Sequence, residues 1–156
     1  MTRTYARCRE GARIQEGAPG GRWKMPAILG ALSTRGVIAA MTIEEAAGAD
    51  IFLAYLDRCL CPQLHAGDVT AMDNLSSHKV QGVQQKIEKC GAELLYLPPC
   101  SPDLNLIEKA WPKLKQLLRS DKARSKESLE EAIAEAIKLI TPENAKTWLR
   151  LCINSL

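Results

Sequence analysis

The chain has 156 residues, 46% apolar and 25% charged, with a net charge of +3. That is enough for one domain with its own core, and the composition is that of a globular protein rather than a fibrous or disordered one. No apolar run reaches membrane-spanning length and no leader pattern is present, so a cytoplasmic protein with no membrane partner is expected.

Charge is unevenly spread. Residues 1–24 carry six bases against Glu10 and Glu16, residues 44–73 carry six acids against Arg58, and residues 109–126 carry seven bases against Asp121. Basic ends around an acidic middle suit a polyanion bound near a metal centre, although solvated helix faces give the same pattern. The six cysteines (8, 59, 61, 90, 100 and 152) contain no C-x-x-C pair. They read as reduced, mostly buried thiols rather than a zinc site.

In chain order, residues 1–23 are basic, Gly-rich and aperiodic, and read as loop. "KMPAILGALS" (24–33) and "GVIAAMTI" (36–43) predict two antiparallel strands with a short turn. "GADIFLAYLDRCLCPQL" (48–64) has helical spacing and stops at Pro62. "GDVTAMDN" (67–74) predicts a strand. A helix capped by Ser76 or Ser77 should then run to about Lys89 and close at Gly91, before a strand in "AELLYLP" (92–98). That is the strand–helix–strand unit of a parallel pair. Helices follow at about 106–119, 126–139 and 141–153, the last with Thr141 as cap and Pro142 at its first position. The fold class is α/β, a mixed sheet with helices on both faces, in a single domain spanning 1–156.

Two carboxylates stand out. Asp73 ends the strand "DVTAMD", where open α/β sheets collect ligands, with Asn74, Ser76, Ser77 and His78 beside it. A turn or capping aspartate explains the same pattern. Glu108 opens a helix behind Pro98, Pro99 and Pro102, a stiff turn suited to aiming a ligand. Here too a capping box between Asn105 and Glu108 is the plainer alternative. Ile107, Ala110, Trp111, Leu114 and Leu118 form the predicted buried stripe of that helix. Lys115 and Arg119 share the flank of Glu108 and could follow a nucleic-acid backbone. Pro112 either interrupts the helix or begins its regular part. Asp73 and Glu108 are separated by 34 residues, room for a helix, a strand and a turn that bring the chain back to the same cleft.

"MDNLSSHKV" followed by "GAELLYLPPCSPDLNLIEKAWPKLKQLLR" closely resembles the catalytic domain of IS630-type insertion-sequence transposases, related to the Tc1/mariner group. The likeness extends to "MTRTYAR", "LGALSTRGVIA" and the C-terminal helices. It implies a ribonuclease-H-like fold and an Asp-Asp-Glu triad holding two Mg²⁺ or Mn²⁺ ions, which cleave and transfer DNA strands during transposition. Asp73 matches the second aspartate and Glu108 the glutamate, with Asn74 and His78 near the site and Lys115 and Arg119 toward DNA. The partners implied are the element's DNA ends and its target, together with an upstream transposase segment or a second protomer, in the nucleoid.

The chain departs from that pattern where the family's first strand and first aspartate lie, before "TRTYAR"; neither Glu10 nor Glu16 replaces the aspartate. Leu106 stands where a proline is usual, and Cys100 where an aromatic is usual. The expectation is an N-terminally truncated or split transposase domain lacking its first strand and one metal ligand, inactive alone. The alternative is a non-catalytic DNA-binding remnant that regulates the intact enzyme. A phospho-acceptor domain built on Asp73 fits less well, because no further acids fall near an earlier strand.

Overall fold

The structure, a computed structural model, describes residues 26–44, 47–121 and 125–153. The N-terminal loop of the sequence reading, with Cys8, Glu10 and Glu16, lies outside those residues.

Strand β1 (Ala27–Ser33) pairs antiparallel with β2 (Gly36–Ile43), as the two apolar runs predict. Gly36 turns the corner with φ 104, and a Cβ there would sit 2.8 Å from the Ile140 carbonyl oxygen. Glycine is therefore required twice over, for conformation and for space. The register shifts between Ala31 and Leu32, which face Ala39 and Val37, so Ile38 is the extra residue of a bulge. Leu29 and Ala31 join one hydrophobic cluster, whereas Ile28 and Leu32 join another on the opposite side.

Helix α1 (Ala49–Tyr55) continues into a wide π turn (Leu56–Leu60) and a 3₁₀ turn (Cys61–Gln63). Phe52, Tyr55, Leu56 and Leu60 recur at helical spacing, and all are buried. The helix loosens before Pro62, which has no N–H to continue the ladder.

Strand β3 (Val69–Met72), helix α2 (Val83–Lys89) and strand β4 (Glu93–Tyr96) form the expected unit, with β3 and β4 parallel and Met72 opposite Tyr96. The helix start differs from the sequence reading. Ser76–His78 make only a 3₁₀ turn, and α2 begins after Gly82, whose φ is 103. The cause is His78. Its ring sits on Asp73 and its carbonyl accepts a bond from the Tyr96 hydroxyl, which holds the segment out of helical geometry. Gly91 closes α2 as expected, with φ 75.

Three helices complete the chain: α3 (Ile107–Asp121), α4 (Lys126–Lys138) and α5 (Pro142–Ile153). A reciprocal Ser125–Ser128 capping box starts α4. Thr141 Oγ1 accepts from the Asn144 N–H at 3.4 Å to start α5, and Pro142 is its first residue, as predicted. Ala110, Leu114 and Leu118 pack against Ala132, Ile133 and Ala136 of α4, with Trp111 and Trp148 against the same cluster. The tryptophans of α3 and α5 are thus packing residues. The first turn of α3 is tight, with Glu108 N–H bonding Asn105 O and Lys109 N–H bonding Leu106 O. Pro112 lies inside the helix.

The mixed α/β class is the observed one, with helices on both faces. The strands form an antiparallel pair and a parallel pair that do not join among the described residues. The thiols are more exposed than expected. Among the described cysteines only Cys152 is buried; Cys59, Cys61 and Cys90 are half-buried, and Cys100 is exposed.

Candidate functional site

Asp73 follows the last residue of β3, and Glu108 is the second residue of α3. Both line one cavity of about 640 Å³, together with Asn105, Ile107 and Trp111. The spacing argument therefore leads to a common cleft. The turn between them is rigid, with Pro98 and Pro99 followed by Cys100 at φ 56 and a 3₁₀ turn at Pro102–Leu104.

The Asp73 carboxylate is held on one side. His78 Nδ1 lies 2.7 Å from Oδ1, and the Leu75 N–H donates to the same oxygen at 3.3 Å. The imidazole packs on Phe52 with ring centroids 4.3 Å apart, and its side chain is 16% exposed against 39% for Asp73. A nearly buried ring thus fixes a carboxylate that still reaches solvent. Burial raises the Tyr96 phenol above its ordinary range, so its hydroxyl keeps its proton and donates to the His78 carbonyl at 2.7 Å.

Asn74 serves the scaffold rather than the cavity. Its side-chain amide donates to the Leu97 carbonyl. The loop after β3 is thereby tied to the chain leaving β4, the segment that leads to Glu108. Lys115 and Arg119 are exposed on α3, about −20° and +20° around the helix from Glu108. Lys115 borders a second, smaller groove, beside Trp111 and Leu118.

Phe52, Tyr55 and Tyr96 escaped the sequence reading. Phe52 and Tyr55 sit in an ordinary amphipathic pattern, and nothing in their spacing distinguishes a site floor from core. Tyr96 alternates with Leu95 as any strand tyrosine does.

Oxygen donors suit hard divalent cations. Asp73 and Glu108 fit such an ion in chemistry and in sharing a cavity. Among the described residues, however, no group of three His, Cys, Asp or Glu side chains converges for a metal. The carboxylates that line the cavity are those of Asp68, Asp73 and Glu108.

Residues 1–130 match the model of the DDE superfamily endonuclease family, and the chain belongs to that family. No curated protein matches it. Among solved structures, the fold is similar to a Mos1 transposase paired-end complex with left transposon end, at TM-score 0.76 and 19% identity over 97% of this chain and 47% of that one. It is also similar to the catalytic domain of Mos1 mariner transposase, at TM-score 0.69 and 19% identity over 81% of this chain and 68% of that one. A Mos1 mariner paired end complex with Mn gives TM-score 0.68 and 17% identity, over 99% of this chain and 51% of that one. The chain spans about half the length of the full Mos1 chains. No helix among the described residues is long and apolar enough to cross a membrane.

Proposed function

We propose that the chain is the catalytic-domain portion of an IS630-type, Tc1/mariner-related transposase that acts on the DNA ends of an insertion sequence in the cytoplasm, at the nucleoid. The observation that carries this reading is the placement of Asp73 and Glu108 on one cavity, one carboxylate from a strand end and the other from a helix start. In this reading both are ligands to Mg²⁺ or Mn²⁺, and the third oxygen donor comes from outside the described residues, from an upstream transposase segment or a second protomer.

Each residue has a part. Asp73 presents one oxygen toward the cavity while His78 and the Leu75 N–H hold the other. Glu108 presents a second carboxylate from the tight first turn of α3. Lys115 and Arg119, further along the same helix edge, face the phosphates of bound DNA. When bound, paired divalent ions activate the attacking oxygen and stabilise the leaving one in an in-line phosphodiester displacement.

With two carboxylates the chain alone binds Mn²⁺ weakly and leaves DNA uncut. The test is to incubate the purified chain, and Asp73→Ala, with Mn²⁺ and duplexes carrying the element's ends. The reading predicts no nicking by the chain alone, and metal-dependent nicking once the missing donor segment is supplied, lost in Asp73→Ala. Nicking by the supplied complex that persists in Asp73→Ala would refute it. The lack of a three-ligand cluster among the described residues favours a second reading, a non-catalytic DNA-binding remnant. That reading predicts salt-dependent DNA binding and no nicking under either condition.

A further inference from the structure

Away from the cavity, two thiols meet on one carbonyl. Cys61 opens the 3₁₀ turn after α1, and Cys90 ends α2. The Lys86 carbonyl is one of the last-turn oxygens of α2, and the Cys90 N–H turns to Ile87 and Glu88 instead. Thiols take its place: Cys90 Sγ donates to this oxygen at 3.2 Å and Cys61 Sγ at 3.8 Å. A hydrogen bond also joins the two sulfurs. Both residues are half-buried, neither sealed in the core nor loose on the surface.

The other described cysteines sit elsewhere. Cys59 lies near Tyr55, Cys100 is exposed on the turn after β4, and Cys152 is buried in α5. Neither Cys61 nor Cys90 lines the cavity of Asp73 and Glu108, so what this pair does is independent of the metal reading. The pair does bracket that site along the chain, because β3, Asp73, His78 and α2 all fall between the two cysteines.

We propose that Cys61 and Cys90 are a redox modification site, a dithiol that small disulfides of the glutathione type convert to an intramolecular disulfide. The exchange runs in two displacements. Burial, then the bond to Cys90, pushes the Cys61 thiol up to about 11, so Cys61 keeps its proton at first and Cys90 attacks. Cys90 gives its proton to solvent. Its thiolate bonds to one sulfur of the small disulfide, whose other half leaves as a thiolate and takes up a proton. Cys61 then loses its proton and attacks Cys90 Sγ in the mixed disulfide, expelling the second small thiol. Two protein thiols are oxidised and one small disulfide is reduced to two thiols, so protons and electrons balance. The new bond staples the end of the α1 segment to the end of α2 and closes the intervening chain into a loop, which restricts the unfolded chain.

The test uses the full chain carrying Cys59→Ser and Cys100→Ser. Cys59 shares a tryptic peptide with Cys61, and Cys100 shares one with Cys90, so only this background assigns the cross-link without ambiguity. The chain is equilibrated in buffers of graded reduced and oxidised glutathione, quenched with acid and mapped by mass spectrometry. A linked Cys61–Cys90 peptide pair should be the main protein disulfide. Its equilibrium constant should exceed that of the same chain in urea by about tenfold or more, and the oxidised chain should gain the same factor in its folding equilibrium. Alanine at positions 59 and 100 gives a second background with the same expectation, should serine unsettle the fold. Cys61→Ser should leave Cys90 only as a mixed disulfide with glutathione. No cross-link in either background, a cross-link no more favoured than in urea, or pairing mainly through Cys8 or Cys152 would overturn the proposal.

Discussion

His78 is held from three directions: by Asp73 at its ring nitrogen, by Phe52 at its ring face, and by Tyr96 at its carbonyl. In the proposed reading its contribution is to aim Asp73, as outer partners of metal ligands do. His78→Phe keeps the packing on Phe52 and loses the contact to the carboxylate. Metal affinity should then fall by about 10- to 100-fold with little change in stability, as read by Mn²⁺ titration beside thermal unfolding. Cys61 makes a separate prediction. Burial, then its hydrogen bond with Cys90, pushes its thiol up to about 11. Its thiolate is scarce at pH 8, so alkylation there should be at least about tenfold slower than in the unfolded chain. Because the folded value is the raised one, whatever stability this group contributes is complete below the unfolded pKa. It is lost as pH climbs toward 11. Mass spectrometry of the Cys61 peptide across pH 7–11 checks the rate.

Among the elements, the helices and strands were legible wherever periodicity and caps agreed. The hairpin, α3, α4 and α5 follow their apolar spacing, and Thr141–Pro142 marks a start that the structure keeps. The segment after Asp73 was not legible, because its conformation is dictated by contacts from residues distant in sequence, Phe52 and Tyr96. Serines that look like caps were overruled by one pinned histidine. The acidic stretch at 44–73 also misleads when read as a block. Asp57 pairs with Lys86 at 2.7 Å and Glu44 with Lys126, and none of the four lines the cavity. The basic edge of α3 carries its own prediction. If Lys115 and Arg119 each neutralise a phosphate, the double alanine variant should weaken binding to any DNA sequence. The slope of log affinity against log salt should shrink by roughly 2. Fluorescence anisotropy between low and moderate salt measures both. The packing between α3 and α4 is tested by Leu114→Ala, a residue only 2% exposed. It should cost about 2–5 kcal/mol in urea unfolding, with an unchanged native spectrum.

At the scale of the whole molecule, the sequence carried the α/β class and the return of the chain to one cleft. Thirty-four residues between two acids leave room for that return, and the Asn74–Leu97 bond shows what closes it. Both strand pairs follow the sequence reading, but the expected single mixed sheet is, among the described residues, two separate pairs, because the joining of pairs depends on partners that local pattern does not name. Family membership and the Mos1-like fold agree on a nuclease-type scaffold.

The central claim is that Asp73 and Glu108 share one cation. Trp111 lines the same cavity, so Tb³⁺ bound there, a hard-ion probe, should luminesce when tryptophan is excited. Asp73→Asn and Glu108→Gln should each abolish that signal, and the double variant should lose no more than either alone, because one ion needs both oxygens. Two independent partial losses that sum in the double variant, or a full signal in either single variant, would contradict the account.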